Sequence, residues 1–376
     1  MPVSKTRLAL LLATLPAMLP AQQARTPRIL TADGAPFPGQ FSLPRSVREL
    51  PDGRLLVVDW LEQKLLVLDW ARGTSAQVGR SGSGPAEYRL PSRLIPLGDT
   101  TLLRDLGNDR LLLIGPDLTF LGSFRGPDDA GYPVSPTAAD RAGWLYFEIP
   151  GWAVNAAPGD SIVVARWNRK GGRIEPVARV RSYTPRQSSG QRMGIPMVMF
   201  APEDGWAVAP DGRVVLIRSG DYSVEIRGPD KRVVRGRSQA YPTRAVRAAD
   251  REWMVRRFLA TSPMSGRGPG GGMGLTPAEL QTDAEVARLT GGSAFAESLP
   301  YFSPGGVWIS PAGDTWVQRT TGADETIVLD RFDQAGLLRE QVQLPKGRTP
   351  LAVGRAHVFV TTTDADGLQQ LERYRY

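Results

Sequence analysis

One pattern recurs six times along this chain, and it constrains the fold more than any other feature. A short strand, often led by Pro, reaches a turn carrying Gly or Asp, and a β-rich strand follows that ends in a polar residue. The copies run from Pro44 to Gly53 and on to Asp59, and from Pro91 to Gly98 and on to Asp105. A weaker one runs from Pro136 to Gly143 and on to Glu148. The others run from Gly205 to Gly212 and on to Arg218, from Gly306 to Gly313 and on to Arg319, and from Pro350 to Gly354 and on to Thr361. A third strand is expected after each, as in Lys64 to Asp69, Arg110 to Ile114 and Val224 to Arg227, with polar turns such as Gly115-Pro116-Asp117 marking hairpins.

Six units of three or four short strands predict an all-β fold, a six-bladed β-propeller in which each blade buries its faces against its neighbours. A β-sandwich does not explain the recurrence of one motif. The 41 Gly and 32 Pro suit a fold with many tight turns. The last unit has three strands before Tyr376, so a segment between Arg28 and Ser42 is expected to supply its outer strand and clasp the ring.

Residues 1–21 are set apart from this pattern. Lys5 and Arg7 precede an apolar run from Leu8 to Leu19, and Ala21 is a small residue at a cleavage position. This reads as a signal peptide, with an uncleaved anchor as the alternative, and implies an exported protein, periplasmic or extracellular. Residues 22–376 form the propeller. No other apolar run has the length of a membrane span. The absence of Cys excludes disulfides, thiolate metal sites and a cysteine nucleophile. Without Lys5 and Arg7 the formal charge falls from +8 to +6, nearly all of it from Arg. A basic exported protein can bind acidic polymers. Nucleic acid is not expected, because no basic run is interleaved with stacking aromatics.

The segment Gly79 to Pro91 resembles the Gly-rich link of NHL-repeat propellers, a TolB-like group, in which a G-x-G-x-G-[EQ]-[FY] loop leads through Pro into the next inner strand. Gly82, Gly84, Glu87, Tyr88 and Pro91 hold the matching places. The resemblance implies the fold; that fold hosts binding modules, sensors and enzymes, so it does not by itself imply an activity.

Four groups of residues are candidates for function. The last residues of the second strands should lie on one face near the central channel: Asp59, Asp105, Glu148, Arg218, Arg319 and Thr361. Three acids on one arc and two Arg on the other could orient a charged ligand, with Tyr88 nearby. Alternatively each acid accepts backbone N–H groups in its own turn. The same acids could supply oxygen ligands for calcium, the one cofactor the sequence leaves open. His357 is the only histidine and sits in a strand pattern, which leaves no zinc site and no Ser-His-Asp arrangement with a visible nucleophile elbow.

The stretch from Pro242 to Leu299 breaks the β pattern between units four and five. Helical spacing predicts one helix from Thr243 to Ala260 with Val246, Ala249, Trp253, Met254 and Phe258 on its apolar side. Gly266 to Gly274 is a flexible run. A second helix is predicted from Thr276-Pro277-Ala278-Glu279 to about Leu289. The pair could cap a pocket or pack on the side. Trp60, Trp70, Trp152 and Trp167 stand near strand ends, where one or two could stack on a sugar or peptide. The reading that follows is a monomeric binding module for a protein, peptide or glycan on the channel face. The alternative is a calcium-dependent hydrolase or lyase of the lactonase kind using channel carboxylates.

Overall fold

The computed structural model describes residues 26–127, 134–149, 161–170, 172–182, 198–261 and 282–376. Six antiparallel sheets form the blades. Blade one runs Pro44–Glu49, Leu55–Asp59, Lys64–Asp69, Thr74–Gln77 from inside to outside. Blade two runs Pro91–Leu97, Thr100–Asp105, Arg110–Ile114, Phe120–Phe124. Blade three runs Ala138–Ala139, Trp144–Ile149, Ile162–Asn168, Glu175–Val180, its first strand shorter than its sequence suggests. Blade four runs Gly205–Val208, Val214–Arg218, Ser223–Arg227, Val233–Arg235. Blade five runs Phe302–Ile309, Thr315–Arg319, Val328–Phe332, Leu338–Gln343. Blade six has Thr349–Val353, His357–Thr363 and Gln369–Arg375. The first strand of every blade contacts the first strand of the next, from blade one round to blade six and back. The six first strands therefore surround the axis of a closed ring.

Each blade has a neighbour on both faces, which is why the middle of its second strand is largely buried and apolar. Leu55–Asp59 is buried at every residue. Alternate side chains of that strand feed different seams: Leu56 and Val58 pack with Leu94 and Leu103 of blade two, whereas Leu55 and Val57 pack with Phe359 and Leu371 of blade six. Every other seam has its own cluster: Ile95, Leu102 and Leu145; Tyr146, Val164 and Leu216; Ile217, Phe302 and Val317; Trp316, Leu329 and Val358. Burying each such Leu, Val or Phe side chain contributes roughly 1.5–3 kcal/mol.

The clasp has the expected position and one additional strand. Thr31–Ala32 and Gln40–Phe41 both pair antiparallel with Gln369–Arg375 of blade six. Arg28–Ile29 pairs parallel with Leu338–Gln343 of blade five. Leu30 between them is buried in the seam of blades five and six, and Phe37 and Phe41 in that of blades six and one. His357 Nε2 lies 2.7 Å from Asp33 Oδ2, so the one histidine ties the clasp to blade six.

Pro44 pairs with Asp59 and Pro91 with Asp105. First strands thus begin where second strands end, and the links between blades open on that same upper face. One of these links is the insertion between blades four and five. Its first helix, α1 (Ala248–Thr261), begins five residues after Thr243, where the Asp250 carboxylate accepts from the N–H of Arg247 and satisfies one donor at the helix start. Val255 and Leu259 form its buried side, with Val286 and Met199; Ala249 and Phe258, expected on that side, are exposed. The second helix, α2 (Asp283–Gly292), is capped by Thr282, whose side chain accepts from Glu285 N–H. The predicted Thr276 start and the Gly266 to Gly274 run lie outside the described residues, as do residues 1–25 and Trp152. Among the described residues no helix is long and apolar enough to cross a membrane.

Candidate functional site

The second strands are not innermost, so their last residues lie inside the blades rather than around the axis. Asp59 is 2% exposed and its two oxygens accept from Ser42 N–H (2.8 Å) and Leu43 N–H (3.0 Å). Burial pushes its carboxyl up, and those backbone bonds act the other way. Asp105 repeats the arrangement: Oδ1 accepts from Arg89 and Leu90 N–H, and Oδ2 from Asn108. These two acids anchor the residues just before Pro44 and Pro91. Glu148 is exposed and accepts from Trp206 Nε1 at 2.6 Å.

Arg218 and Arg319 are also held within the ring. Arg218 makes a two-pronged bond to Glu225 at 3.0 Å and a bond to Asp204 at 2.9 Å. Arg319 pairs with Asp330 at 2.9 Å and lies 4.4 Å over Tyr241. Thr361 is 5% exposed. Tyr88 is fully buried: its hydroxyl donates to Val78 O and accepts from Leu65 N–H, joining the link to blade one. In the same link Glu87 accepts from Gly84 N–H, and a Cβ at Gly82 would fall 2.1 Å from the Glu87 carboxylate, which is why glycine stands there. Trp60 is buried beneath Arg45, Trp167 belongs to a seam, and Trp70 packs edge-on against Phe37.

The oxygens of Asp59 and Asp105 thus already receive N–H donors, and Glu148 stands apart from them on the Trp206 ring N–H. Among the described residues no three His, Asp or Glu converge as metal ligands.

Two arginines without a side-chain partner among the described residues lie elsewhere on the upper face. Arg93 and Arg104 are direct cross-strand partners in blade two. Ile95 and Leu102, two residues along the same strands, fill the seam toward blade three, so both guanidinium groups project from that side of the sheet. No side-chain hydrogen bond or ion pair joins either to another described residue, and Arg104 Nε is buried without a partner. Arg93 is solvent-exposed but closely surrounded: burial lowers its pKa from the ordinary guanidinium value, with Glu148 acting the other way. Burial and the charge of Arg93 lower both Arg45 and Arg104. Arg45 sits 4.6 Å over the Trp60 ring, aimed there by a β-bulge between Pro44 and Ser46. Arg93 thus repels both Arg45 and Arg104, while Glu148 acts on Arg93 and Asp109 on Arg104 in the opposite sense. The sequence carries a signal for this. Aligned on Asp59 and Asp105, Arg104 stands where blade one has the buried Val58, and a charge at a seam position needs a reason.

A second feature lies over blades four and five. A cavity of about 290 Å³ opens between α1 and the strands beneath it. Met199, Phe200, Met254, Phe258, Pro300 and Thr320 are among its walls.

No family model matches the chain, and no curated protein matches it. Among solved structures it is similar to a member of the DUF4221 family from Bacteroides vulgatus, with a TM-score of 0.54, 10% identity, and 92% of this chain and 97% of that one covered. It also aligns with a calcium-binding protein, regucalcin, from Agrobacterium tumefaciens (TM-score 0.42, 13% identity, 94% and 97% covered) and with a streptogramin B lyase (0.34, 12%, 90% and 96%). The shared feature is the fold. The chain is a six-bladed β-propeller. At these identities the likeness carries no activity across.

Proposed function

We propose that this protein is a binding module that holds a carboxylate-bearing ligand, an acidic peptide or an acidic glycan, at the upper end of its axis. The observation that carries this reading is the Arg93–Arg104 pair with Arg45 beside it. Like charges directly opposite on paired strands destabilise a sheet, and a buried N–H without an acceptor costs about 1–3 kcal/mol. A ligand carboxylate relieves both, and the planar fork of a guanidinium suits it. No observation favours the calcium-dependent hydrolase reading.

The leader-like residues 1–21 support export, with the mature chain starting at Gln22. The Gly82 to Pro91 link supports a place among NHL-repeat propellers, and the ring, closed by its own clasp, supports a monomer.

Calorimetric titration of the mature protein with oligoglutamate, oligogalacturonate and their neutral counterparts tests the reading. One of the two acidic polymers binds, the neutral counterparts do not, and each of Arg93→Ala and Arg104→Ala weakens binding about tenfold or more. Equal affinity for neutral and acidic polymers, or no loss in the double variant, overturns it.

A further inference from the structure

The cavity under α1 is independent of the arginine group and belongs to other blades. Phe200 and Ala201 reach it from the link into blade four, Pro300 and Pro304 from the start of blade five, and Met254 and Phe258 from α1. Its walls are mostly hydrocarbon; Glu203, Arg257 and Ser303 also line it, Glu203 and Arg257 being engaged with partners of their own, and Thr320 stands among them. Thr320 is 6% exposed, and its Oγ1 is buried with no hydrogen-bond partner. A buried hydroxyl normally finds a partner, so one left unpaired in a cavity wall is a group that a ligand seated there can satisfy after a small adjustment. Phe200 adds a second sign. It is a bulky residue in the left-handed region, at φ 62°, stacked on Trp253 with ring centroids 6.5 Å apart. Such backbone strain is retained where the surroundings enforce it and clusters at ligand sites. The volume lies near the lower end of small-molecule sites.

We infer that this cavity is a binding site for a small, largely apolar molecule with one hydrogen-bonding group, which Thr320 receives. The apolar body lies against Met254, Phe258 and Phe200, and α1 forms the roof. Burial of hydrocarbon supplies affinity, and the single hydroxyl fixes orientation.

The neutral fluorophore N-phenyl-1-naphthylamine is a suitable probe, because it has an apolar body, one N–H and no charge for the arginine group to hold. Titration of the full chain gives saturable binding at one site per chain. Met254→Trp fills the cavity and abolishes it. Thr320→Val, nearly isosteric, weakens binding about three- to tenfold while the free protein melts at or above the temperature of the parent. Arg93→Ala leaves probe binding unchanged, so failure here is distinct from failure of the carboxylate site. No saturable binding, or binding equally tight in the parent and in Thr320→Val, overturns the inference whether or not Met254→Trp folds.

Discussion

Arg93 and Arg104 face each other across the first two strands of blade two, and among the described residues neither guanidinium has an acidic partner in hydrogen-bonding reach. In the free protein this arrangement costs stability. Arg104→Leu removes the repulsion and the orphaned Nε, and it restores the kind of residue that blade one has at Val58. The variant is expected to be about 1 kcal/mol more stable, or about 2 °C in melting temperature, and to bind acidic ligand more weakly. Thermal melts and titrations on the same preparation check both halves. A variant less stable than the parent would mean that Arg104 has a structural partner.

Affinity for an acidic ligand should fall as salt rises. Arg93 is open to solvent and so is screened by mobile ions, whose reach shrinks from about 10 Å at 0.1 M to about 3 Å at 1 M. Titration across that range should show progressive weakening. Salt-independent affinity would point to a ligand held by hydrocarbon contact.

The ring was legible from sequence because its cause is local and repeated. A strand buried on both faces reads as Leu55-Leu56-Val57-Val58, and the motif returns six times. The site was not legible in the same way. The sequence shows which strand a residue is on but not which strand lines the axis, so Asp59, Asp105, Arg218 and Arg319 read as channel residues, whereas their partners are within and between the blades. The alternative of acids accepting backbone N–H groups describes Asp59 and Asp105. The helix start at Ala248 depends on the Asp250 side chain, which no periodicity reveals. Arg93 and Arg104 could have been found by aligning the repeats on their terminal Asp and asking which seam position carries a charge.

Millimolar calcium or a chelator is expected to leave the melting temperature unchanged. A ligand present at 100 times its Kd would stabilise the fold by about 2.7 kcal/mol, a shift that scanning calorimetry resolves readily. A calcium-dependent rise would overturn this expectation and call for Asp59→Asn and Asp105→Asn variants to locate the ion.

Leu30→Ala tests the clasp. Leu30 is 1% exposed and packs with Leu329, Val342 and Tyr374 where Arg28 to Ala32 crosses from blade five to blade six. Removing a buried Leu side chain costs about 2–5 kcal/mol. Because the lost contacts join two blades, hydrogen exchange should rise in Gln369–Arg375 more than in blades two or three. A uniform rise around the ring would mean that the clasp opens only with global unfolding.

Asp250 is the anchor of the insertion. Its side chain is fully buried and bonds to Arg244 (2.6 Å) and Arg247 (2.9 Å), as well as to the backbone N–H groups of Arg247 and of Ala323 in the ring. Burial alone would raise the carboxyl, but the two arginines and the two N–H groups outweigh it and hold it well below its ordinary value of 3.8. The sign follows from linkage. An acid depressed by folding contributes stability that is fully present above its unfolded pKa and is lost progressively as pH falls from there to the lower folded value. The insertion should therefore resist acid-stable protease as well at about pH 4 as at pH 7 and loosen only in stronger acid. Asp250→Asn leaves two cations facing a neutral amide. It should cost about 3 kcal/mol, the lower end for a broken buried pair because Arg244 is one-third exposed, and it should speed cleavage in the insertion before the ring unfolds. Cleavage of the variant at the parent rate would show that α1 is held by its apolar contacts with α2 and Met199 instead.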